Sequence, residues 1–188
     1  MDLSILFQNR NSMKKNASKI LILLFILKCT ILGAQTIDKP DLEFVCTLNV
    51  QIAKAIVVGE TARGVRRIIP ITGGTFEGPK MRGTIVDGGA DWQIIRADGV
   101  AEIEALYTLK TDDSTFIYIR NPGMRVATPE VAARIGRGEV VSPTEYYFRA
   151  APKFEAPKGK YDWLNNAIFI CKAIRMPTFV KIEVWKVL

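Results

Sequence analysis

Not one of the 188 residues is a histidine. That absence removes Ser-His-Asp and Cys-His nucleophile systems, His-liganded zinc and proximal-His haem from consideration. Acid–base chemistry in this chain must use carboxylates, Tyr, Lys or Cys. Cysteine is scarce as well, three in all, with no CxxC or other metal-ligand spacing. GxGxxG and P-loop patterns are missing, as are nucleophile elbows, so no cofactor and no metal are expected. There is no repeat, low-complexity segment or internal linker. Long hydrophobic runs are also lacking: the apolar stretch over residues 20–27 ends at Lys28, well short of the ~20 residues a membrane-spanning helix needs.

Lys14, Lys15 and Lys19 precede that stretch and Gly33 and Ala34 follow it, the charged, apolar, cleavable order of a secretory signal peptide. The sequence therefore predicts a signal peptide over residues 1–34 and a single domain over 35–188, exported to the periplasm or the extracellular space. Lys28 is too bulky to precede a lipidated Cys29, so a lipid anchor is not expected. Removing residues 1–34 takes five of the 26 basic and one of the 19 acidic residues, leaving 21 and 18 and a net charge of +3 in place of +7. The pI of 9.4 is thus weak evidence for nucleic-acid binding. Arg63, Arg66 and Arg67 lack interleaved aromatics and read as a solvated strand face. Neither nucleic acid nor, after cleavage, a membrane is an expected partner. In an oxidising compartment Cys46 and Cys171 either form a disulfide or remain small buried thiols, and the sequence supports both.

From residue 42 onward the texture is strand, turn, strand. Phe44, Cys46, Leu48 and Val50 alternate with Val45, Thr47 and Asn49. Over residues 101–111, Ile103, Ala105, Tyr107 and Leu109 form one face, while Glu102, Glu104, Thr108 and Lys110 form most of the other, the period of a half-buried antiparallel strand. Further strands are predicted over 67–71, 81–86, 92–96, 115–121, 145–154, 167–172 and 179–187, divided by Asp-Gly, Gly-Gly and Asp-Asp turns. One helix near residues 129–136 is signalled by Thr128 as cap, Pro129 in first position and Gly136 at the end. About nine short antiparallel strands with one helix predict an all-β fold, a single closed antiparallel β-barrel. Closure removes exposed edges, and at about eight strands the interior either fills with side chains or holds one small ligand.

Candidate functional residues cluster around the Gly-rich stretch over residues 73–93. Glu77 and Asp91 each follow a Gly-containing break beside a large aromatic, Phe76 or Trp92. A carboxylate against apolar walls is desolvated, which raises its pKa toward the range useful for a general acid or base; capping of turn amides is the alternative role. Arg120, at the end of an apolar strand, and Arg149, alternating with Tyr147, are candidates for an anionic ligand or for structural ion pairs. Trp163 and Asn165 lie in a loop-like segment suited to closing a barrel mouth, with core packing the alternative for Trp163. Asp112 and Asp113 read as a hairpin turn.

Five segments, ITGGTFEGPKMRG, DGGADWQ, YTLKTDDSTFIYIRNPG, YYFRAAPKFEAP and YDWLNNAIFI, together resemble the DUF3237 domain proteins, also called the UPF0311 family. The resemblance runs from about Leu42 to Leu188. It implies an antiparallel β-barrel of calycin-like character and brings no established reaction.

The reading adopted from the sequence is an exported barrel that binds a small, partly apolar ligand in its interior. A second is a cofactor-free lyase or isomerase, with Glu77 or Asp91 as base and Arg120 or Tyr147 stabilising negative charge. A third is a structural or interaction barrel packed solid. A homo-oligomer is compatible with all three. The binding and enzyme readings expect Glu77, Trp92, Arg120 and Tyr147 to converge on the barrel interior, with Phe76, Asp91, Arg149, Trp163 and Asn165 alongside. They also expect a cavity of about 300 Å³ or more.

Overall fold

The computed structural model describes residues 38–188, in which twelve strands pair into one sheet that closes on itself. The wall follows the order β1 (Leu42–Ile52), β3 (Gly64–Glu77), β4 (Arg82–Ile85), β7 (Ala101–Thr111), β8 (Phe116–Val126), β9 (Tyr147–Ala150), β11 (Phe169–Arg175) and β12 (Phe179–Val187). β12 then pairs with β1, and every pairing is antiparallel. Two short strands, β5 (Gly89–Asp91) and β6 (Ile94–Ile95), continue the place of β4 between β3 and β7. β2 (Ile56–Thr61) makes a hairpin with β3, and β10 (Lys153–Glu155) follows β9 along β8. The predicted closed barrel is therefore present, with more strands than the sequence pattern suggests and with β3 and β8 longer than it suggests.

Alternation does what it predicts on β7. Ala101, Ile103, Ala105, Tyr107, Leu109 and Thr111 are buried, while the residues between them face outward. Leu48, Phe76, Ile117, Ile119, Phe169 and Val184 join them in one core. β8 continues through Asn121-Pro122-Gly123, which the sequence marks as a stop. The missing N–H of Pro122 is not needed toward β7, because the carbonyl of Glu104 opposite it accepts from Trp92 N–H at 3.0 Å, and the Pro122 carbonyl accepts from Ala151 N–H at 2.9 Å. Gly123 lets β9 approach closely, since a Cβ at this position would lie 2.5 Å from the Arg149 carbonyl oxygen. β11 likewise runs three residues past the predicted end at Lys172, to Arg175.

The two barrel ends differ. Helix α1 (Pro129–Gly136) follows the end of β8, with Thr128 Oγ1 accepting from Val131 N–H at 3.3 Å and with Val131 and Ile135 buried in the core. Near the β7–β8 hairpin, a 3-10 turn (Asp162–Asn166) buries Leu164. Beside it Phe154 and Phe169 pack edge to face with ring centroids 4.9 Å apart. The predicted Asp112–Asp113 turn closes that hairpin. Asp113 accepts from Lys160 Nζ at 2.8 Å and Tyr161 Oη at 3.1 Å, and these bonds, the one from Lys160 foremost, hold its carboxyl well below the usual carboxylate range.

Cys46 on β1 and Cys171 on β11 both align with Val184 of β12, which lies between them. Two strand spacings amount to about 10 Å, beyond the ~7 Å Cα separation a disulfide allows. The disulfide reading is therefore overturned: both cysteines are buried free thiols, each pushed up to about 12 by burial. Iodoacetamide at pH 8 should modify neither in the folded protein and both after denaturation, as peptide mass spectrometry would show. Among the described residues no helix is long and apolar enough to cross a membrane. The signal-peptide reading falls on residues 1–34, outside the described residues.

Candidate active site

At the end of the barrel where α1 follows β8, the inward positions turn from apolar to polar. On β3 the inward series runs Ile71, Ile69, Arg67, and Asp91 on β5 stands opposite both Ile69 and Ala105. β8 supplies Asn121 and Arg125, and β11 supplies Arg175, two residues beyond buried Ala173. Gln93 follows Asp91 by two residues and is only 1% exposed. The remaining walls are largely apolar, among them Ile103, Phe148, Val180 and Ile182, and these groups, except Arg67, which bonds to Gln93, line a partly open cavity of about 50 Å³. That is far below the volume anticipated from the sequence, because the lumen is largely filled by its own side chains. It has room for a small polar group and not for a whole drug-sized ligand.

Asp91 is the centre of this cluster. Its Oδ1 accepts from Glu104 N–H at 3.0 Å and its Oδ2 from Gln93 Nε2 at 2.9 Å. Gln93 Oε1 in turn accepts from Arg67 Nη2. Burial pushes the Asp91 carboxyl up to about 6, against the opposing pull of those two hydrogen bonds and of the charges on Arg125 and Arg67. Desolvation thus outweighs the partners. Arg125, 9% exposed, is lowered to about 10 by its own burial and then by repulsion from Arg67 and Arg175. Burial likewise lowers Arg67 and Arg175. The Arg175 backbone N–H donates to Tyr146 Oη at 3.0 Å, fixing where that guanidinium starts. Arg67 Nε and Arg175 Nη1 are buried with no hydrogen-bond partner. Two guanidiniums, those of Arg67 and Arg125, therefore share one carboxylate, and that of Arg175 adds a third positive charge to the group. A carboxyl poised near neutrality can give or take a proton, and neighbouring cations can stabilise negative charge that develops beside it.

Of the residues singled out in the sequence, Asp91 lies in this cluster. Phe76 also points inward, but as a core residue 2% exposed. Glu77, Arg120, Tyr147 and Arg149 do not converge on the lumen, because each occupies the outward phase of its strand. Glu77 is exposed opposite Arg82. Arg120, between buried Ile119 and Asn121, pairs with Glu104 through Nε–Oε1 at 2.6 Å and Nη2–Oε2 at 3.3 Å. Arg149 stacks over the Tyr147 ring at 5.0 Å on the outer wall. Trp92 is 44% exposed. Trp92, Tyr147 and Arg149 do meet, in an open groove of about 990 Å³ on the outside of the barrel. Both carboxylates along it are already matched, Glu102 by Arg63 and Glu104 by Arg120. Trp163 packs on Phe169 with Lys80 over its ring, and Asn165 holds the N–H and C=O of Ala156 at 2.9 Å each. Both are structural, away from the Asp91 cluster.

Arg67, Gln93, Asn121, Arg125 and Arg175 are the lumen residues that sequence reasoning missed. Arg67 is not on a solvated face, since only Arg66 of that pair points outward. The available signal was strand period: each missed Arg continues an inward series by steps of two. Among the described residues no three His, Cys, Asp or Glu side chains converge as a metal site requires.

The family described as "Protein of unknown function (DUF3237)" matches residues 40–187. A UPF0311 protein of Rhodopseudomonas palustris is 40% identical over 151 residues, covering 79% of this chain and 99% of that protein. A solved structure from that organism, described as a conserved protein of unknown function, superposes with a TM-score of 0.78 at 38% identity, covering 81% of this chain and 100% of that one. A beta-barrel like protein from Acinetobacter baumannii does so with a TM-score of 0.72 at 36% identity, over 82% and 99% of the two chains. More distantly, a Penicillium herquei protein named hydroalkoxylation enzyme phnH is 27% identical over 146 residues, 78% of this chain and 82% of that protein.

Proposed function

This chain belongs to the DUF3237 (UPF0311) family, and we propose that its barrel takes the reacting part of a small, partly apolar molecule into the lumen and moves a proton on it without a cofactor. Asp91 is the acid and base of this reading. The observation that carries it is a largely desolvated carboxyl, pushed up to about 6, lining a small cavity in the barrel lumen. As carboxylate, Asp91 takes a proton from an acidic O–H or C–H; Arg67 and Arg125 stabilise the resulting negative charge; the carboxylic acid then returns the proton, to carbon in an addition or isomerisation and to the departing oxygen in an elimination. The proton taken is the proton returned, so addition, elimination and isomerisation all balance without an oxidant or reductant.

The Penicillium relative supports an enzyme over a passive carrier. Hydroalkoxylation adds O–H across a carbon–carbon double bond and needs a group that moves a proton between oxygen and carbon. The N-terminal charge and apolar pattern supports a reading in which the barrel works after export.

The test is a carbon-13 NMR titration of aspartate carboxyls, with the Asp91 signal assigned by its loss in Asp91→Asn. A midpoint near 6 is expected. A midpoint in the ordinary range near 4 would leave Asp91 ionised at working pH and remove the proton-transfer reading.

A further inference from the structure

The charge balance of the lumen says more about what enters it. On the outer wall most arginines have acidic partners, among them Arg63 with Glu102, Arg82 with Asp112, Arg120 with Glu104 and Arg134 with Glu145, while Arg66 and Arg149 donate to backbone carbonyls. Those exposed pairs are individually worth little. The buried arginines are treated in the opposite way. Among the described residues, no ion pair includes Arg67, Arg125 or Arg175, although burial makes an unpaired charge expensive. Arg67 and Arg125 share the attraction of Asp91, and all three guanidiniums face repulsion within the group. Stability alone favours replacing such residues with apolar ones. Their presence needs a compensating anion.

Building on the lumen reading above, we infer that the molecule bound there is a small carboxylate, its charged end held by Arg125 and Arg175, with Arg67 adding positive charge from beside Gln93, and its apolar end lying against Ile103 and Phe148. The buried, unpartnered Nη1 of Arg175 supplies a donor at the cavity. Guanidinium forks match the two oxygens of a carboxylate. Cavity size sets the head group: about 50 Å³ admits a carboxylate with a short stem. The remaining sides are mostly apolar, with Gln93, Asn121 and Tyr107 the other polar lining residues, so they suit a hydrocarbon stem better than the additional oxygens of a phosphate or sulfate. Asp91 then sits beside the carbon next to the bound carboxylate, where a proton is removed most readily once the carboxylate charge is stabilised by cations.

Acetate is the probe, with acetamide as its uncharged counterpart of the same shape. At constant ionic strength and pH 7, acetate should produce saturable shifts in the arginine Nε–H resonances and raise the melting temperature. Acetamide at equal concentration should do neither. Arg175→Gln should weaken acetate about tenfold, as loss of a charged hydrogen bond does, while leaving the ligand-free melting temperature unchanged or higher because a repulsive charge is gone. The inference is overturned if acetamide matches acetate, if acetate shifts never saturate, if inorganic phosphate binds where acetate does not, or if Arg175→Gln leaves acetate affinity intact. The wild-type comparison of acetate with acetamide stands even if the variant does not fold. Acetate binding with an ordinary Asp91 midpoint would sink the proton-transfer reading alone. Failure of acetate with an Asp91 midpoint near 6 would sink the carboxylate inference alone.

Discussion

Gly74→Ala should lower the unfolding free energy by about 3–5 kcal/mol, the sum of a strained backbone and a forced contact, whereas Gly88→Ala should cost only about 1–2 kcal/mol. Both glycines have positive φ, +129° at Gly74 and +104° at Gly88, so both substitutions strain the backbone. Their surroundings separate them. A Cβ on Gly74 would lie 2.1 Å from the carbonyl oxygen of Asn49, in the backbone of neighbouring β1, while one on Gly88 meets nothing within 4 Å. Backbone held in a sheet cannot step aside as a flexible side chain can. Immediately beyond Gly74, the β1–β3 register shifts between Gln51 and Ile52. From there β3 carries Ile71, Ile69 and Arg67 toward the Asp91 cluster, so the glycine is tied to the site as well as to the wall. Urea denaturation of both variants measures the difference. Equal losses would mean that the β1–β3 seam yields and that close approach at Gly74 is unnecessary.

Asp91→Asn should change how stability depends on pH more than it changes stability at any one pH. An unfolded aspartate titrates near 3.9, whereas the folded carboxyl is pushed up to about 6. The folded state therefore holds the proton more tightly. Its contribution to stability is fully present below about pH 4, falls as pH rises through 6, and is flat above. A displacement of roughly two pH units corresponds to about 3 kcal/mol. The charged groups acting on Asp91 are Arg125 and Arg67, and both stay protonated throughout this window. Subtracting the Asp91→Asn profile from wild type removes the titration of surface carboxylates. Wild type should lose about 3 kcal/mol relative to the variant between pH 4 and pH 7. A difference that is constant across that range would show that Asp91 is solvated in the folded protein.

Much of the scaffold was legible. The alternation of Ile103, Ala105, Tyr107 and Leu109 forecast β7, because a strand that is wet on one side must segregate its side chains by period two. Thr128, Pro129 and Gly136 forecast α1, because capping and φ restriction act within a single turn. Asp91 was found from its Gly-bounded, aromatic neighbourhood. The same reasoning failed for Glu77, although it too follows a Gly pair and neighbours a large aromatic. Desolvation depends on which side of the wall a residue faces, and a one-residue change of phase reverses it. Arg125 and Arg175 escaped notice because their strands were ended too early, at Asn121 and Lys172. Asn-Pro-Gly reads locally as a turn, and only the close approach of β9 to Gly123 shows that the strand continues.

By itself, the sequence determined that no histidine chemistry operates here, that short antiparallel strands must close against one another, and that a carboxylate near residue 91 was a candidate for proton transfer. These are consequences of composition and of patterns spanning a few residues. Tertiary structure alone decided that Cys46 and Cys171 are separated by β12, that Arg120 and Tyr147 face outward, and that Arg67 and Arg125 from two strands act on Asp91 while Arg175 from a third lines the same cavity. Each of those outcomes depends on strand order, inward phase and where β3, β8 and β11 end in the closed barrel. Such long-range pairing is set by the packing of the whole wall, and no short window of residues encodes it.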